Sequence, residues 1–185
     1  MPTNREKLLS LIQDRAFVRG EVTLSSGRKS DFYVDGKMIE MSPEGAYLIG
    51  EVLFEQIKDH DINAIGGLAV GAVPVVTSVA VSCYHHGKDV EGVFVRAEPK
   101  AHGTKKTIEG RLPENARVVV VDDVVTSGKS IMTAIEAIEE RGGKIVLVLS
   151  IVDRDAGARE FFASQGYTYE SIYSKQDVLG HAQVG

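Results

Sequence analysis

The chain has 185 residues, of which 43% are hydrophobic and 25% are charged, and its formal net charge is −5 at pH 7. This length suits a single domain with a sizeable core, and we predict one domain over residues 1–185. The acidic balance argues against a protein that binds nucleic acid through a basic surface. No apolar run reaches the roughly 20 residues of a membrane-spanning helix, so no membrane contact is expected. The single cysteine, Cys83, excludes an internal disulfide and favours a packed thiol in the reducing cytoplasm.

Helix-like and strand-like segments alternate along the chain. A helix is predicted over residues 6–17, and extended segments follow at 21–24 and 31–39. Further helices are predicted at 43–58, 71–86, 130–141 and 156–165, and further strands at 64–70, 91–95, 117–121, 144–152 and 168–173. Apolar strands that alternate with helices indicate an α/β fold, with a central parallel sheet flanked by helices. Residues 1–40 are expected to form a small N-terminal hood or flap on this domain.

The stretch VVVVDDVVTSGKS, residues 118–130, joins a buried strand to a polar loop. Its last three residues resemble the end of a GxxxxGK[ST] phosphate loop, but the first glycine of that pattern would fall at Asp123. A carboxylate there would repel a phosphate by about 4 kcal/mol at ~4 Å. The loop therefore suits two tasks in different places. Its hydroxyls and amides suit one phosphate at a helix N-terminus, whereas Asp122 and Asp123 suit ribose hydroxyls or Mg²⁺. Alternatively, the two acids only cap the following turn.

The order of residues in this stretch is similar to a family motif. An apolar strand, two acids, two apolar residues and T-[SAG]-G-x-[ST] resemble the phosphoribosyl-diphosphate (PRPP) signature of the type I phosphoribosyltransferases. The resemblance implies the type I phosphoribosyltransferase fold. It also implies that the acids hold the ribose hydroxyls, reaching Mg²⁺ indirectly because PRPP mainly holds the metal, and that the loop holds the 5′-phosphate. The implied PRPP-binding residues are Asp122, Asp123, Val124, Val125, Thr126, Ser127, Gly128, Lys129 and Ser130.

A basic segment, residues 96–110, separates two of the predicted strands. Its sequence, RAEPKAHGTKKTIEG, has no periodicity, so it is either a solvated surface loop or a functional lid, as long loops in compact domains often are. It resembles the catalytic loop of orotate phosphoribosyltransferases, R-K-E-x-K-x-H-G, except that Ala97 replaces the usual lysine. The resemblance implies that Arg96, Lys100 and His102 are catalytic, binding PRPP through its departing diphosphate. That group gains charge as its bond breaks.

Two more stretches are similar to the orotate enzymes. TLSSGRKSDFYVD, residues 23–35, resembles their N-terminal orotate loop, which implies base contacts at Ser26 and Gly27. Arg154, in DRDAG, stands where the family has an arginine facing the orotate carboxylate, and Thr126 is the other implied base contact. A forked guanidinium suits a carboxylated pyrimidine, although a lone arginine is more often a surface residue. GGLAVGAVP, residues 66–74, occupies the place of the family's diphosphate-contacting loop.

Together these stretches imply a Mg²⁺-dependent orotate phosphoribosyltransferase acting in the synthesis of UMP. Its substrates would be PRPP and orotate, its products orotidine 5′-monophosphate and diphosphate. The resemblance also implies a homodimer in which each subunit's basic segment closes over the other's site. Two alternatives remain: a purine or uracil salvage phosphoribosyltransferase, and a non-catalytic nucleotide-sensing regulator on the same fold. A salvage enzyme would give no reason for the stretch at 23–35 or for Arg154. A regulator that binds RNA or DNA is disfavoured by the net charge of −5, and it would leave the basic residues of segment 96–110 without a role.

Overall fold

The computed structural model describes residues 1–23, 29–97 and 107–180 of the chain. The helices are α1 (Asn4–Leu11), α2 (Lys37–Glu40), α3 (Pro43–Ile57), α4 (Ala72–His85), α5 (Lys129–Glu139), α6 (Ala158–Ser164) and α7 (Lys175–Leu179), and a π-helical turn spans Ile12–Ala16. The strands are β1 (Phe17–Thr23), β2 (Lys29–Val34), β3 (Ala64–Leu68), β4 (Glu91–Val95), β5 (Ile108–Gly110), β6 (Arg117–Val125), β7 (Lys144–Asp153) and β8 (Tyr169–Ser174). Within these described ranges, no helix combines the length and apolarity needed to cross a bilayer.

The central sheet has six strands in the order β5-β4-β3-β6-β7-β8, and β1 and β2 form a separate antiparallel hairpin. All neighbours in the central sheet are parallel except β4 and β5. The predicted α/β fold with a mostly parallel sheet is confirmed. The prediction of an irregular segment over residues 96–110 was wrong at its end, because residues 108–110 add the antiparallel edge strand β5.

The run of four valines in β6 is buried on both faces of the sheet. Val118 and Val120 belong to the apolar cluster beneath α5 and α6, whereas Val119 and Val121 belong to the cluster beneath α1, α3 and α4. All four side chains are fully buried. Successive side chains of a strand point to opposite faces, so a strand covered on both sides needs apolar residues at every position. Full burial of each valine stabilises the fold by roughly 1.5 kcal/mol or more.

Three predicted boundaries differ from the structure near the N-terminus and in β6. The first helix ends as an α-helix at Leu11, and its last turn is π-helical. The extended segment predicted at 31–39 ends at Val34, because Asp35 Oδ1 accepts the N–H of Lys37 at 3.2 Å and starts a turn into α2. The valine strand continues past residue 121 to Val125, because β7 offers pairing partners along its whole length.

The N-terminal region packs against the main body of the protein. Leu8 and Ile12 are fully buried in the same cluster as the inner face of α3. The hydroxyl of Tyr173 in β8 donates to the carbonyl of Arg5 at 2.6 Å, which ties α1 to the far edge of the sheet. Phe32 and Val34 of β2 and Ile39 of α2 belong to the same cluster, so the hairpin and α2 also pack onto this layer.

Lys88 closes the C-terminal end of α3, and its removal should destabilise the fold. Its Nζ donates to the carbonyls of Ile57 at 3.1 Å, Lys58 at 2.9 Å and His60 at 2.6 Å. We expect Lys88→Met to lower the free energy of unfolding by about 1–3 kcal/mol, because these carbonyls lose a charged donor. Urea denaturation measures this loss. Lys58→Met is the control, since its ion pair with Glu55 is exposed and contributes little to stability; equal losses in the two variants would contradict the capping role.

Candidate active site

The carboxyl ends of the parallel strands meet at one edge of the central sheet. Asp122 pairs in register with Ser150 of β7, and Val125 with Asp153, so the chain after β6 and the chain after β7 leave the sheet side by side. The N–H of Arg154 donates to the carbonyl of Val125 at 2.9 Å. The structure thus brings Arg154 next to the start of the polar loop, 28 or more positions away along the chain. Ligands of open α/β sheets bind at this edge.

Asp122 and Asp123 line a narrow crevice between β6 and the loop that follows β3. Both side chains are partly buried, and Asp122 Oδ1 accepts the N–H of Asp123 at 3.1 Å. A Cβ atom on Gly71 would lie 3.4 Å from Asp123 Oδ1 and 3.6 Å from Asp122 Oδ1. Glycine at this position leaves the space in front of both carboxylates clear of a side chain. The two acids are therefore available to accept hydrogen bonds from a ligand.

A third carboxylate, that of Glu40, lies against Asp123, and sequence reasoning missed it. Glu40 ends α2 and is only 3% exposed, and no N–H or O–H donor among the described residues satisfies its carboxyl oxygens. Any side chain on Gly36 would collide with both Glu40 Oε1 and Asp123 Oδ2. The glycine at position 36 is the sequence signal that could have indicated a close approach here, but it does not identify the groups that meet.

Crowding of these acids favours their neutral forms. Burial, with the negative charge of Asp123 as the second cause, raises the pKa of Glu40 to about 8. Burial likewise raises the pKa of Asp122 to about 8, with Asp123 as the second cause. Lys37 opposes both shifts. The cluster therefore carries less negative charge near neutral pH than three carboxylates would, which lowers its repulsion of a phosphorylated ligand.

The polar loop at residues 126–130 leads directly into α5. Gly128 is the N-cap of that helix with φ = 79°, and a Cβ there would lie 2.7 Å from the ring of Phe162, so only glycine fits. The first amides of α5 point toward the loop, an arrangement that suits one phosphate group. Thr126 and Ser127 are partly buried. Lys129 and Ser130 are exposed in the first turn of α5.

Two predicted PRPP-binding residues cannot use their side chains. Val125 is 2% exposed within the cluster beneath α5, and Val124 packs against the opposite cluster. Both side chains are therefore part of the two core layers, although past the acids the even- and odd-numbered positions have exchanged layers relative to the valine run. Any contact with a ligand at these positions comes from the backbone.

Arg154 is buried and holds the N-terminal hairpin, which excludes the alternative of a surface arginine. Arg154 as a whole is 7% exposed. Its guanidinium donates from Nη2 to the carbonyl of Phe32 at 2.7 Å and lies 4.7 Å from the centre of the Phe32 ring. Phe32 stands in β2, within the stretch that resembles an orotate loop. The structure thus brings two of the predicted base-site stretches together.

Of the three predicted lid residues, the structure describes Arg96. Arg96, just after β4, forms an ion pair with Glu109 of β5 at 3.6 Å, and its buried Nε has no hydrogen-bond partner within the described ranges. Lys100 and His102 lie outside the described residues, as do Ser26 and Gly27.

The carboxylates fit a Mg²⁺ ion that arrives with its ligand. Among the described residues, no group of three or more histidine, cysteine, aspartate or glutamate side chains is arranged to enclose a metal. Mg²⁺ commonly binds through one or two carboxylates plus substrate phosphates and water. Asp122 and Asp123, beside an open crevice, match that pattern, so the donor set suits a metal carried mainly by a diphosphate.

Comparison with known proteins defines the class to which this fold and site belong. The model of the phosphoribosyl transferase domain family matches residues 35–168, and the chain belongs to that family. A curated orotate phosphoribosyltransferase of Bradyrhizobium diazoefficiens is 44% identical over 181 residues, covering 95% of this chain and 96% of that protein. Another, from Nostoc sp., is 40% identical and covers 95% of this chain and 85% of that protein.

Comparison with solved structures also matches the chain to orotate phosphoribosyltransferases. The orotate phosphoribosyltransferase of Mycobacterium tuberculosis in complex with PRPP is 35% identical, with a TM-score of 0.79, and the match covers 95% of this chain and 99% of that one. The enzyme from Aeropyrum pernix is 32% identical, with a TM-score of 0.80, covering 96% and 99% of the two chains. Within the phosphoribosyl transferase domain family, the chain is thus a member of the orotate phosphoribosyltransferases.

The buried carboxyl of Glu40 should make the protein less stable as pH rises. In the unfolded chain a glutamate ionises near pH 4.5, whereas in the folded protein its pKa is about 8. Between these values the unfolded state releases the proton first, so folded stability falls. We expect Glu40→Gln to gain about 1–3 kcal/mol relative to the parent protein between pH 4.5 and pH 8. Urea denaturation without added Mg²⁺ at the two pH values measures this difference.

The control for this prediction is the same substitution at an exposed glutamate. Glu44 is in the first turn of α3, with a side chain 60% exposed. Glu44→Gln should show no comparable gain with pH. A Glu40→Gln gain that is the same at both pH values would mean that Glu40 ionises freely in the folded protein.

Proposed function

We propose that this protein transfers the ribose 5-phosphate of PRPP to N1 of orotate, forming orotidine 5′-monophosphate and diphosphate. The observation that carries the proposal is the meeting of three features at one sheet edge. These are the acidic pair in its glycine-lined crevice, the loop at the N-terminus of α5, and the buried Arg154. The names of the relatives and the PRPP complex of the M. tuberculosis enzyme support the same substrates.

Different residues of the site bind different parts of the two substrates. Asp122 and Asp123 accept hydrogen bonds from the ribose hydroxyls. The amides and hydroxyls of residues 126–130 hold the 5′-phosphate, with the helix dipole behind them. Arg154 pairs with the carboxylate of orotate, and Thr126, Ser26 and Gly27 complete the base contacts. Because the protein forms no covalent bond to the substrate, its contribution is orientation and electrostatic stabilisation.

In the reaction, the bond between C1 of the ribose and the diphosphate oxygen breaks, N1 of orotate bonds to C1 in its place, and the proton of N1 passes to the departing diphosphate. The departing diphosphate gains negative charge, which Arg96, Lys100 and His102 stabilise. Mg²⁺ bound to the diphosphate would neutralise part of the same charge. The basic segment also excludes water from the cation-like ribosyl centre, which water would otherwise hydrolyse. The reducing cytoplasm is the proposed compartment, and the single, buried Cys83 is consistent with it.

The direct test follows the loss of orotate absorbance with PRPP and Mg²⁺, in parallel with hypoxanthine, adenine and uracil. We expect turnover with orotate and at least about 10²-fold lower kcat/KM with the other bases, because only orotate offers a carboxylate to Arg154. Replacing Asp122 and Asp123 together with asparagine should lower kcat/KM by about 10² or more. Preferred turnover of another base would indicate a salvage enzyme, and PRPP binding without turnover of any base would indicate a regulator.

We further propose that the protein is a homodimer in which the basic segment of each subunit serves the site of the other. An exposed apolar surface supports a subunit interface: Val81 and Tyr84 of α4 and Tyr47 of α3 are 54%, 81% and 61% exposed. Tyr47 and Val81 border a groove of about 820 Å³ between the two helices, and Tyr84 lines a second cavity of about 490 Å³ beside α4. Exposed apolar surfaces of this kind commonly mark contacts with another protein.

Mixing two inactive variants tests the shared site. One variant carries Lys100→Ala with His102→Ala, and the other carries Asp122→Asn with Asp123→Asn. If the segments are exchanged, a mixed dimer contains one intact site, and random reassortment should restore about a quarter of the parent activity. Mass spectrometry confirms subunit exchange. Activity that stays at the level of the separate variants after exchange would show that each segment serves its own subunit.

A further inference from the structure

A second cation stands beside Arg154 at the edge of the central sheet. Asp153 and Ser174 are paired in the parallel register of β7 and β8, so Arg154 and Lys175 leave the sheet at equivalent positions. Both cations also meet the same hairpin residue. The Nζ of Lys175 lies 5.1 Å from the centre of the Phe32 ring, and the guanidinium carbon of Arg154 lies 4.7 Å from it.

Helix α7 itself offers no favourable partner for a lysine at position 175. Lys175 is the first residue of α7, where the helix dipole favours an acidic residue and disfavours a cation. The nearest acid along the helix, Asp177, accepts instead from the N–H and hydroxyl of Ser174, both at 2.8 Å. Throughout the described ranges, no carboxylate lies within 4.0 Å of the Lys175 ammonium.

We propose that Lys175 is a specificity-determining residue that provides a second positive charge for the anionic base. The proposal rests on the assignment of Arg154 to the orotate carboxylate. Phe32 and Arg154 are both buried, whereas Lys175 is partly exposed, so its side chain has room to adjust to a ligand. It strengthens the electrostatic attraction of orotate without replacing the forked contact of Arg154.

A lysine-to-methionine substitution separates charge from packing. Methionine keeps an unbranched apolar side chain over the Phe32 ring but removes the ammonium. We expect Lys175→Met to raise the KM for orotate about 3- to 10-fold, as fits one partly screened charge, with the KM for PRPP unchanged. Lys175→Arg should restore the parent KM for orotate, and the salt dependence of that KM should be weaker in Lys175→Met than in the parent.

Lys144→Met is the matched control, because Lys144 is exposed at the start of β7, at the opposite edge of the sheet. It changes the net charge by the same amount and should leave both KM values unchanged. An unchanged KM for orotate in Lys175→Met, with an active parent enzyme, overturns the role of Lys175. An equal rise in Lys144→Met also overturns it, since the effect would then follow net charge. Failure of the parent enzyme to turn over orotate would instead refute the proposed function.

Discussion

Burial of β6 on both faces is the constraint on which the rest of the structure depends. Its valines separate the two apolar clusters, so the helices on either side are positioned by contact with this one strand. The same strand continues into Asp122 and Asp123 without interruption. Because its neighbours β3 and β7 are parallel to it, the acids share their edge with the loop at Gly71 and with Arg154. A rigid, buried strand thus fixes the position of the groups that face the ligand.

The acidic crevice lowers the stability of the folded protein, because it holds carboxylates close together before any ligand binds. Glu40 and Asp122 are held where their charged forms are disfavoured, with Asp123 adding to the repulsion. Such groups reduce folded stability near neutral pH and persist where a site needs them. The apolar layers around β6 offset this cost, since the valines alone contribute several kcal/mol.

The N-terminal hairpin is linked to the base site through Phe32. Its carbonyl accepts from Arg154, and its ring contacts two cations that come from the ends of adjacent strands. Phe17 stacks on the same ring at 5.9 Å, which connects this contact to the start of β1. Any shift of the hairpin therefore moves a residue that orients Arg154. Placement of the base and placement of the hairpin are coupled by this one aromatic side chain.

The sequence by itself determined the alternation of elements, the buried strand and the location of the polar loop. Each is a local property: the period of apolar residues, a glycine before a helix, or two acids after a valine run. It did not determine that β6 extends through the acids, that residues 108–110 form an edge strand, or that α2 interrupts the predicted extended segment. Strand limits depend on pairing partners, and these are chosen only when the sheet assembles.

The same distinction applies within the site. The motifs identified Asp122, Asp123 and Arg154, because their residue types carry recognisable chemistry next to a strand end. Only the tertiary structure brought Glu40 against Asp123 and set Lys175 beside Arg154, since these contacts join segments that are distant in the chain. An isolated glutamate or lysine in a sequence resembles any solvated side chain. Burial and proximity, which give such residues their electrostatic role, arise only from folding.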